Sequence, residues 1–335
     1  MIIMNKKYHV IGLGNTLMDF LIEIDDHKLL EFNLKKGEMH LVDEQKAKEV
    51  LHMLHSQKLN IDTVPGGSSA NTLRGLALLG ANVLFCGRVG DDAHGDLYIE
   101  TLGSHGLTVR AQKHTNAITG HAVTFITPDA QRTFSVHLGA GIHFAKEDVL
   151  EQDIAQSQVL HLEGYQLEGS TKDTILHAMD LAKKHGTKIS LDLADPGLIR
   201  RQKSFLQDIV HKYADIIFVN ETEAKEFTGK EEAQAAQILG NIVDIAIVKI
   251  GKEGSIISHQ NQISYIAPVA ANAIDTTGAG DTYAAGFLYG YTHNWPLAKA
   301  GRLGSLLAAK VVEQKGVKLK HLEFQKLAKK IEQEE

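Results

Sequence analysis

One cysteine stands in 335 residues, so the chain can form neither an internal disulfide nor a cysteine-based metal cluster. That residue, Cys86, lies in the apolar run Asn82-Val83-Leu84-Phe85-Cys86, where a small buried thiol is expected. Long hydrophobic runs are missing too. No stretch approaches the ~18 apolar residues needed to span a bilayer, and Met1 to Gly14 carries no signal-peptide core. A soluble protein of the reducing cytoplasm is expected, with no membrane partner. Nor is there an excess of basic charge: Lys+Arg 35 against Asp+Glu 41, a net charge of -6, offers nothing to a phosphate backbone, so nucleic acid is not expected as partner. The sequence G-x-x-x-x-G-K-[ST] does not occur, which excludes a P-loop nucleotidase in its usual form. Gly12-Leu13-Gly14 follows an apolar run, but the third small residue of a dinucleotide fingerprint would fall on Leu17. Among the 18 histidines, His52 and His55 share a helical face but have no acidic or third histidine partner nearby, so surface histidines are expected rather than metal ligands.

What is present is an ordinary globular composition, 43% hydrophobic and 23% charged, without repeats or low-complexity linkers. Its length suits one large α/β domain, alone or with a smaller appendage. Apolar runs predict strands at residues 8–13, 17–24 and 83–87, and helical spacing marks residues 45–57. Pro65-Gly66-Gly67-Ser68-Ser69 reads as a turn feeding a small-residue helix over residues 70–79. Residues 121–127 and 132–138 flank a turn and predict a hairpin. From residue 159 onward strands and helices alternate, with strands at 159–162, 188–193, 216–219 and 245–250, which implies a parallel sheet covered on both faces. A final helical region starts near Gly278. The early strands and the hairpin do not alternate with helices and are expected to form a small separate sheet.

Three segments carry candidate chemistry. In Asp275-Thr276-Thr277-Gly278-Ala279-Gly280-Asp281-Thr282, small residues open an apolar helix. Exposed backbone N–H groups at such a terminus attract an anion, and a carboxylate just inside can take the proton of an attacking hydroxyl. The plainer reading is Asp281 as a capping charge. Gly66-Gly67-Ser68-Ser69-Ala70-Asn71 lets backbone approach a polyhydroxylated ligand and ends in an amide; its plainer reading is an N-cap at Ser68 or Ser69. Asn220-Glu221-Thr222-Glu223 follows a parallel strand. Asn220 and Glu223 either orient Mg²⁺-bound water around phosphates or form a capping box.

Together these segments resemble the ribokinase, or PfkB, family of carbohydrate kinases, most closely its bacterial adenosine-kinase branch. The resemblance runs over nearly the whole chain: Gly66, Gly67 and Asn71 early, Asn220 to Glu223 next, Asp275 to Asp281 late. It implies one ribokinase-like kinase domain over residues 1–335, a Rossmann-like parallel sheet flanked by helices, with a small β-sheet lid from roughly residues 15–42 and 117–140. It implies ATP with Mg²⁺ as donor. Asp281 would be the catalytic base, and Gly278, Ala279 and Gly280 the anion hole. Asn220, Lys249, Gly251, Gly254, Gly278 and Gly280 would bind ATP, with Asn220 and Glu223 meeting Mg²⁺ through water. A K⁺ site at Asp275 and Thr277 belongs to the same expectation. The opening Gly14-Asn15-Thr16-Leu17-Met18-Asp19 resembles the branch's entry segment. Asn15, Leu17, Asp19, Gly66, Gly67 and Asn71 would bind acceptor, Asp19 holding two ribose hydroxyls. In Arg132-Thr133-Phe134-Ser135-Val136-His137-Leu138, Arg132 would reach the phosphates, with Phe134 and Leu138 as apolar walls for a base. Phosphorylation of the 5′-hydroxyl of adenosine to AMP is the leading expectation. Inosine, guanosine, ribose and fructose are alternative acceptors, and a non-catalytic sugar- or nucleoside-binding regulator is a further alternative. Both monomer and homodimer fit.

Overall fold

A computed structural model describes residues 6–57, 61–129, 131–317 and 321–333 of the chain. In chain order the strands are β1 (Tyr8–Leu13), β2 (Leu17–Glu23), β3 (Met39–Leu41), β4 (Ile61–Gly66), β5 (Val83–Gly90), β6 (Thr108–His114) and β7 (Gly120–Ile126). They continue with β8 (Arg132–His137), β9 (Ser157–Glu163), β10 (Lys188–Asp192), β11 (Ile216–Asn220), β12 (Ile245–Lys249), β13 (Ser255–His259) and β14 (Gln262–Ile266).

Nine strands form one sheet in the order β14-β13-β12-β11-β10-β9-β1-β5-β6. From β12 to β6 every pairing is parallel, and β13 and β14 extend the sheet as an antiparallel hairpin. Helices cover both faces, so the inner strands are apolar on both. Ile11, Leu13, Leu160, Leu191, Val219 and Val248 pack on one face against helices Lys172–His185, Pro196–Tyr213 and Glu221–Thr228. Their neighbours Val10, Phe85, Val159, Phe218 and Ile247 pack on the other, against helices Ser68–Leu79 and Ala279–Thr292. Cys86 is buried, and burial pushes its thiol up to about 12, so it is inert. No helix among the described residues is long and apolar enough to cross a membrane.

Five strands form a second sheet, β3-β8-β7-β2-β4. Its outer face carries Met18, Phe20, Ile22 and Phe125, covered by Phe32 and by Val50 and Leu54 of helix Glu44–Ser56. Residues opposite one another in a ladder share a face. The inner face therefore carries one row of Asp19, Ala122, Val136 and Leu41, and a second of Leu21, Thr124, Phe134 and Met39.

Several expectations are corrected here. Only the second of the two early strands joins the small sheet. Val10, Ile11 and Leu13 are apolar on both sides, and β1 lies between β9 and β5 in the middle of the large one. The turn read at Pro65 is the end of β4, so the small sheet draws on residues outside the two segments assigned to it. Strands β3, β6, β13 and β14 lie where none was read. The helix expected from residue 70 starts at Ser68, with Gly67 as N-cap, so neither serine caps it.

Candidate active site

Parallel strands end along one edge, and four side chains stand there on consecutive strands: Glu163 on β9, Asp192 on β10, Asn220 on β11 and Lys249 on β12. Two helices start over this edge, Ser68–Leu79 and Ala279–Thr292. The second is capped by Gly278 at φ +73°, where a side chain would be strained and would also strike Val317. Its first turn carries Asp281.

Asp281 does not cap its helix. Its Oδ1 accepts from Ser68 Oγ at 2.5 Å and its Oδ2 from Asn71 Nδ2 at 3.0 Å, so the first turns of both helices are pinned through one carboxylate. Removal from water pushes its pKa up, while the bonds from Ser68 and Asn71 pull it back. Asn71 is itself oriented from behind. Arg74, buried at 3% exposure, donates to Asn71 Oδ1 at 3.2 Å, Pro65 O at 2.9 Å and Val317 O at 3.3 Å.

Asp19 lies within β2, not at its end, and no surface ion pair holds it among the described contacts. Its carboxylate packs over the Cα of Gly66, where any Cβ would overlap it. Burial raises it to about 7, opposed by the Arg74 charge and reinforced by Asp281. Leu17 and Phe134 are half-buried on the inner face of the small sheet, Leu138 follows β8, and the carbonyl of Asn15 abuts Gly67.

Asn220 and Glu223 make the capping box that their spacing allowed. Asn220 Oδ1 accepts from Glu223 N at 2.9 Å, and Asn220 donates from N and Nδ2 to the two oxygens of Glu223 at 2.9 and 2.5 Å. Burial, then Asp192, raises Glu223 to about 7. No group of three or more His, Cys, Asp or Glu side chains among the described residues could hold a metal ion. Asn220 and Glu223 bond one another, and each oxygen of Glu223 keeps further acceptor capacity.

Arg132 sits at the far end of β8, paired through Nη2 with Asp275 Oδ1 at 2.5 Å and donating through Nη1 to Thr277 Oγ1. Asp275 also accepts from the backbone N–H of Thr277 and of Gly316, each at 2.8 Å. Against burial, these bonds hold its carboxyl below the usual range. The pair of residues expected to meet K⁺ is therefore engaged by a guanidinium in this conformation. Gly251 and Gly254 shape the turn from β12 into β13.

The pattern of the pfkB family carbohydrate kinases matches residues 33–323. The chain belongs to that family. Its sequence is 28% identical over 277 residues to a 5-dehydro-2-deoxygluconokinase of Geobacillus kaustophilus, covering 78% of this chain and 83% of that one. It is 30% identical over 267 residues to the ribokinase of Haemophilus influenzae, covering 77% and 84%. The crystal structure of adenosine kinase from Sinorhizobium meliloti superposes with a TM-score of 0.85 at 31% identity, covering 98% of this chain and 99% of that chain. As a pfkB carbohydrate kinase with the ribokinase-like fold, the protein is a phosphotransferase acting on a hydroxyl of a sugar or nucleoside.

Beyond the residues marked in the sequence, the pfkB fold brings Arg74, Glu163 and Asp192 into the site, and it gives Ser68, read only as a cap, its bond to Asp281. Glu163 is almost fully buried and accepts from Ser69 N; burial, then Asp281, raises it to about 8. A buried carboxyl held above its ordinary value favours the folded state at low pH and loses that advantage as pH climbs through the folded value. Other buried groups work the opposite way, His121 and His161 being lowered to about 4 by burial, so the informative quantity is a difference between variants. Thermal unfolding should show Glu163→Gln gaining on the wild type as pH rises from about 5 to about 8, the window set by the Glu163 value. A pH-independent difference would show that this carboxyl does not titrate there.

Proposed function

We propose that the chain transfers the γ-phosphoryl group of MgATP to the 5′-hydroxyl of a nucleoside, adenosine foremost, yielding AMP. One observation carries this reading. A carboxylate, Asp281, is fixed by Ser68 and Asn71 at a glycine-capped helix start, beneath a sheet face that pairs Asp19 with the apolar side chains of Phe134, Met39 and Leu41.

In this reading Asp19 accepts hydrogen bonds from the vicinal ribose hydroxyls, and Asn71 assists. Asp281 then orients the 5′-hydroxyl and takes its proton; burial raises its basicity for that task. The acceptor oxygen forms a bond to phosphorus as the bond to the β-phosphate bridging oxygen breaks. Gly278, Ala279 and Gly280 present backbone N–H groups to the charge on the phosphoryl oxygens. Mg²⁺ enters as part of the nucleotide substrate, and Asn220 and Glu223 would meet it only through water. Arg132 lies on the same inner face as Asp19 and reaches the phosphates only by leaving Asp275.

The base-binding part of the proposal rests on exposed apolar surface. Met39 is 62% and Leu41 68% exposed, opposite Phe134 and Val136 on β8, an arrangement suited to a flat heterocycle rather than to a bare sugar. The named activities of the gluconokinase and ribokinase relatives favour a free sugar as the second reading. A coupled ADP-release assay with MgATP and adenosine, inosine, guanosine, ribose or fructose separates them. Turnover with adenosine is expected. Turnover only with ribose or fructose would keep the chemistry and overturn the base-binding role of the small sheet. Tight nucleoside binding without any turnover would favour a non-catalytic regulator.

A further inference from the structure

The large sheet places a cation at the candidate site that the small sheet does not supply. Lys249 ends β12, yet its side chain crosses β11 and meets Asp192 of β10, Nζ to Oδ2 at 2.9 Å. Both side chains are mostly buried, at 16% and 8% exposure. The other oxygen of Asp192 accepts from Ala194 N at 2.9 Å, and Ala194 adopts φ +66°, so the chain turns tightly to hold that carboxylate in place. A Cβ at Gly280 would lie 3.0 Å from Lys249 Nζ. The ammonium therefore hangs over the first turn of helix Ala279–Thr292, beside Asp281, where a Cβ at residue 280 would press it aside by a few tenths of an ångström.

A buried ion pair contributes little to stability compared with apolar packing of the same volume, so this one calls for another reason to exist. Asp192 is the only hydrogen-bond partner of the ammonium among the described residues, which leaves two of its three protons for a ligand. Burial works against its charge, but Asp192 and Glu223 outweigh burial and keep Lys249 raised, hence protonated. Arg132, the cation expected at the phosphates, is committed to Asp275 and Thr277.

We propose that Lys249 is a catalytic residue that binds the transferring phosphoryl group from above Gly280, and that Asp192 is the positioning residue that aims it. The proposal rests on the phosphoryl-transfer reading above and goes further by assigning the charge. As the acceptor oxygen bonds to phosphorus and the bridging oxygen departs with ADP, the ammonium pairs with non-bridging oxygens. It neither gains nor loses a proton, since the hydroxyl proton goes to Asp281. Lysine suits this place as a compact point charge where a planar guanidinium would need width.

The test uses the full chain and the best acceptor of the assay above, held at saturation, with MgATP varied. Lys249→Met should lower kcat by roughly 100-fold, as loss of one transition-state donor does, while acceptor binding measured by calorimetry stays within about twofold. Asp192→Asn should lower kcat by about 10-fold, and the double variant should be no worse than Lys249→Met alone, because the aspartate acts only through the lysine. Lys249→Gln, which keeps an N–H donor for Asp192 but no charge, serves if Lys249→Met does not fold and should also reduce kcat. Turnover by Lys249→Met, or by Lys249→Gln should the first variant not fold, within about threefold of the wild type would overturn this proposal alone. Additive losses in the double variant would remove Asp192 from its positioning role. A wild type that turns over none of the acceptors would overturn both this inference and the reading beneath it.

Discussion

Asp281→Asn should lower turnover by roughly 1000-fold or more, the scale of a lost general base, while acceptor affinity changes little. Asparagine keeps the shape and can still accept at one oxygen, so the bond from Ser68 or from Asn71 survives and the two helix starts stay joined. What disappears is the capacity to take a proton. Steady-state kinetics with the acceptor identified by ADP release, beside calorimetric titration of that acceptor, separates the two quantities. Parallel loss of turnover and affinity would make Asp281 a structural tie instead of the base. Relief of charge repulsion among Asp281, Glu163 and Asp19 predicts in addition that the variant melts no lower than the wild type.

Arg74→Met should cost about 3 kcal/mol of stability, several degrees in melting temperature, because it strands buried acceptors that now share one guanidinium. Pro65 O, Val317 O and Asn71 Oδ1 all lose a charged donor. Methionine fills much of the volume, so the loss is of bonding and not of packing. Activity should fall more than stability suggests. With Oδ1 released, the Asn71 amide is free to turn, and its bond to Asp281 loses its direction. Asp19 also loses the positive charge that draws its pKa down, so acceptor binding should weaken more at slightly acid pH than above neutrality. Scanning calorimetry and acceptor KM against pH check the two parts. An unchanged melting temperature with unchanged KM would show that Arg74 neither supports the fold nor orients the site.

The contrast between these two residues shows which part of the site sequence could reveal. Asp281 sits among small residues at a helix start, a local pattern with chemical meaning, and Asn71 shares that advantage, whereas Asp19 and Lys249 were marked only through the family resemblance. Arg74 lies in a helix read only as small and apolar, and nothing near it in sequence tells that its partners are residues 65, 71, 105 and 317. Glu163 and Asp192 close strands whose apolar runs were recognised, but their role follows from which strands are neighbours in the sheet. Asn220 and Glu223 illustrate a different limit, since one spacing serves both a capping box and a metal-facing pair. For the fold, the parallel inner strands were legible because burial on both faces demands apolar runs, whereas the antiparallel inner strand β13 was not read. Edge strands β3, β4, β6 and β14 were not. Thr108-Val109-Arg110-Ala111-Gln112-Lys113-His114 mixes polar and apolar residues, β4 contains Pro65, and both satisfy the freedom an edge strand has.

The outer face of the small sheet has a bearing on how the molecule holds itself together. Phe20, Phe32 and Phe125 belong to the same continuous apolar cluster as Val10, Phe85, Phe218 and Phe287 of the large sheet. An apolar cluster shared across both sheets favours their unfolding as one cooperative unit. A cavity opened at Phe287 then destabilises the same unit that carries Asp19.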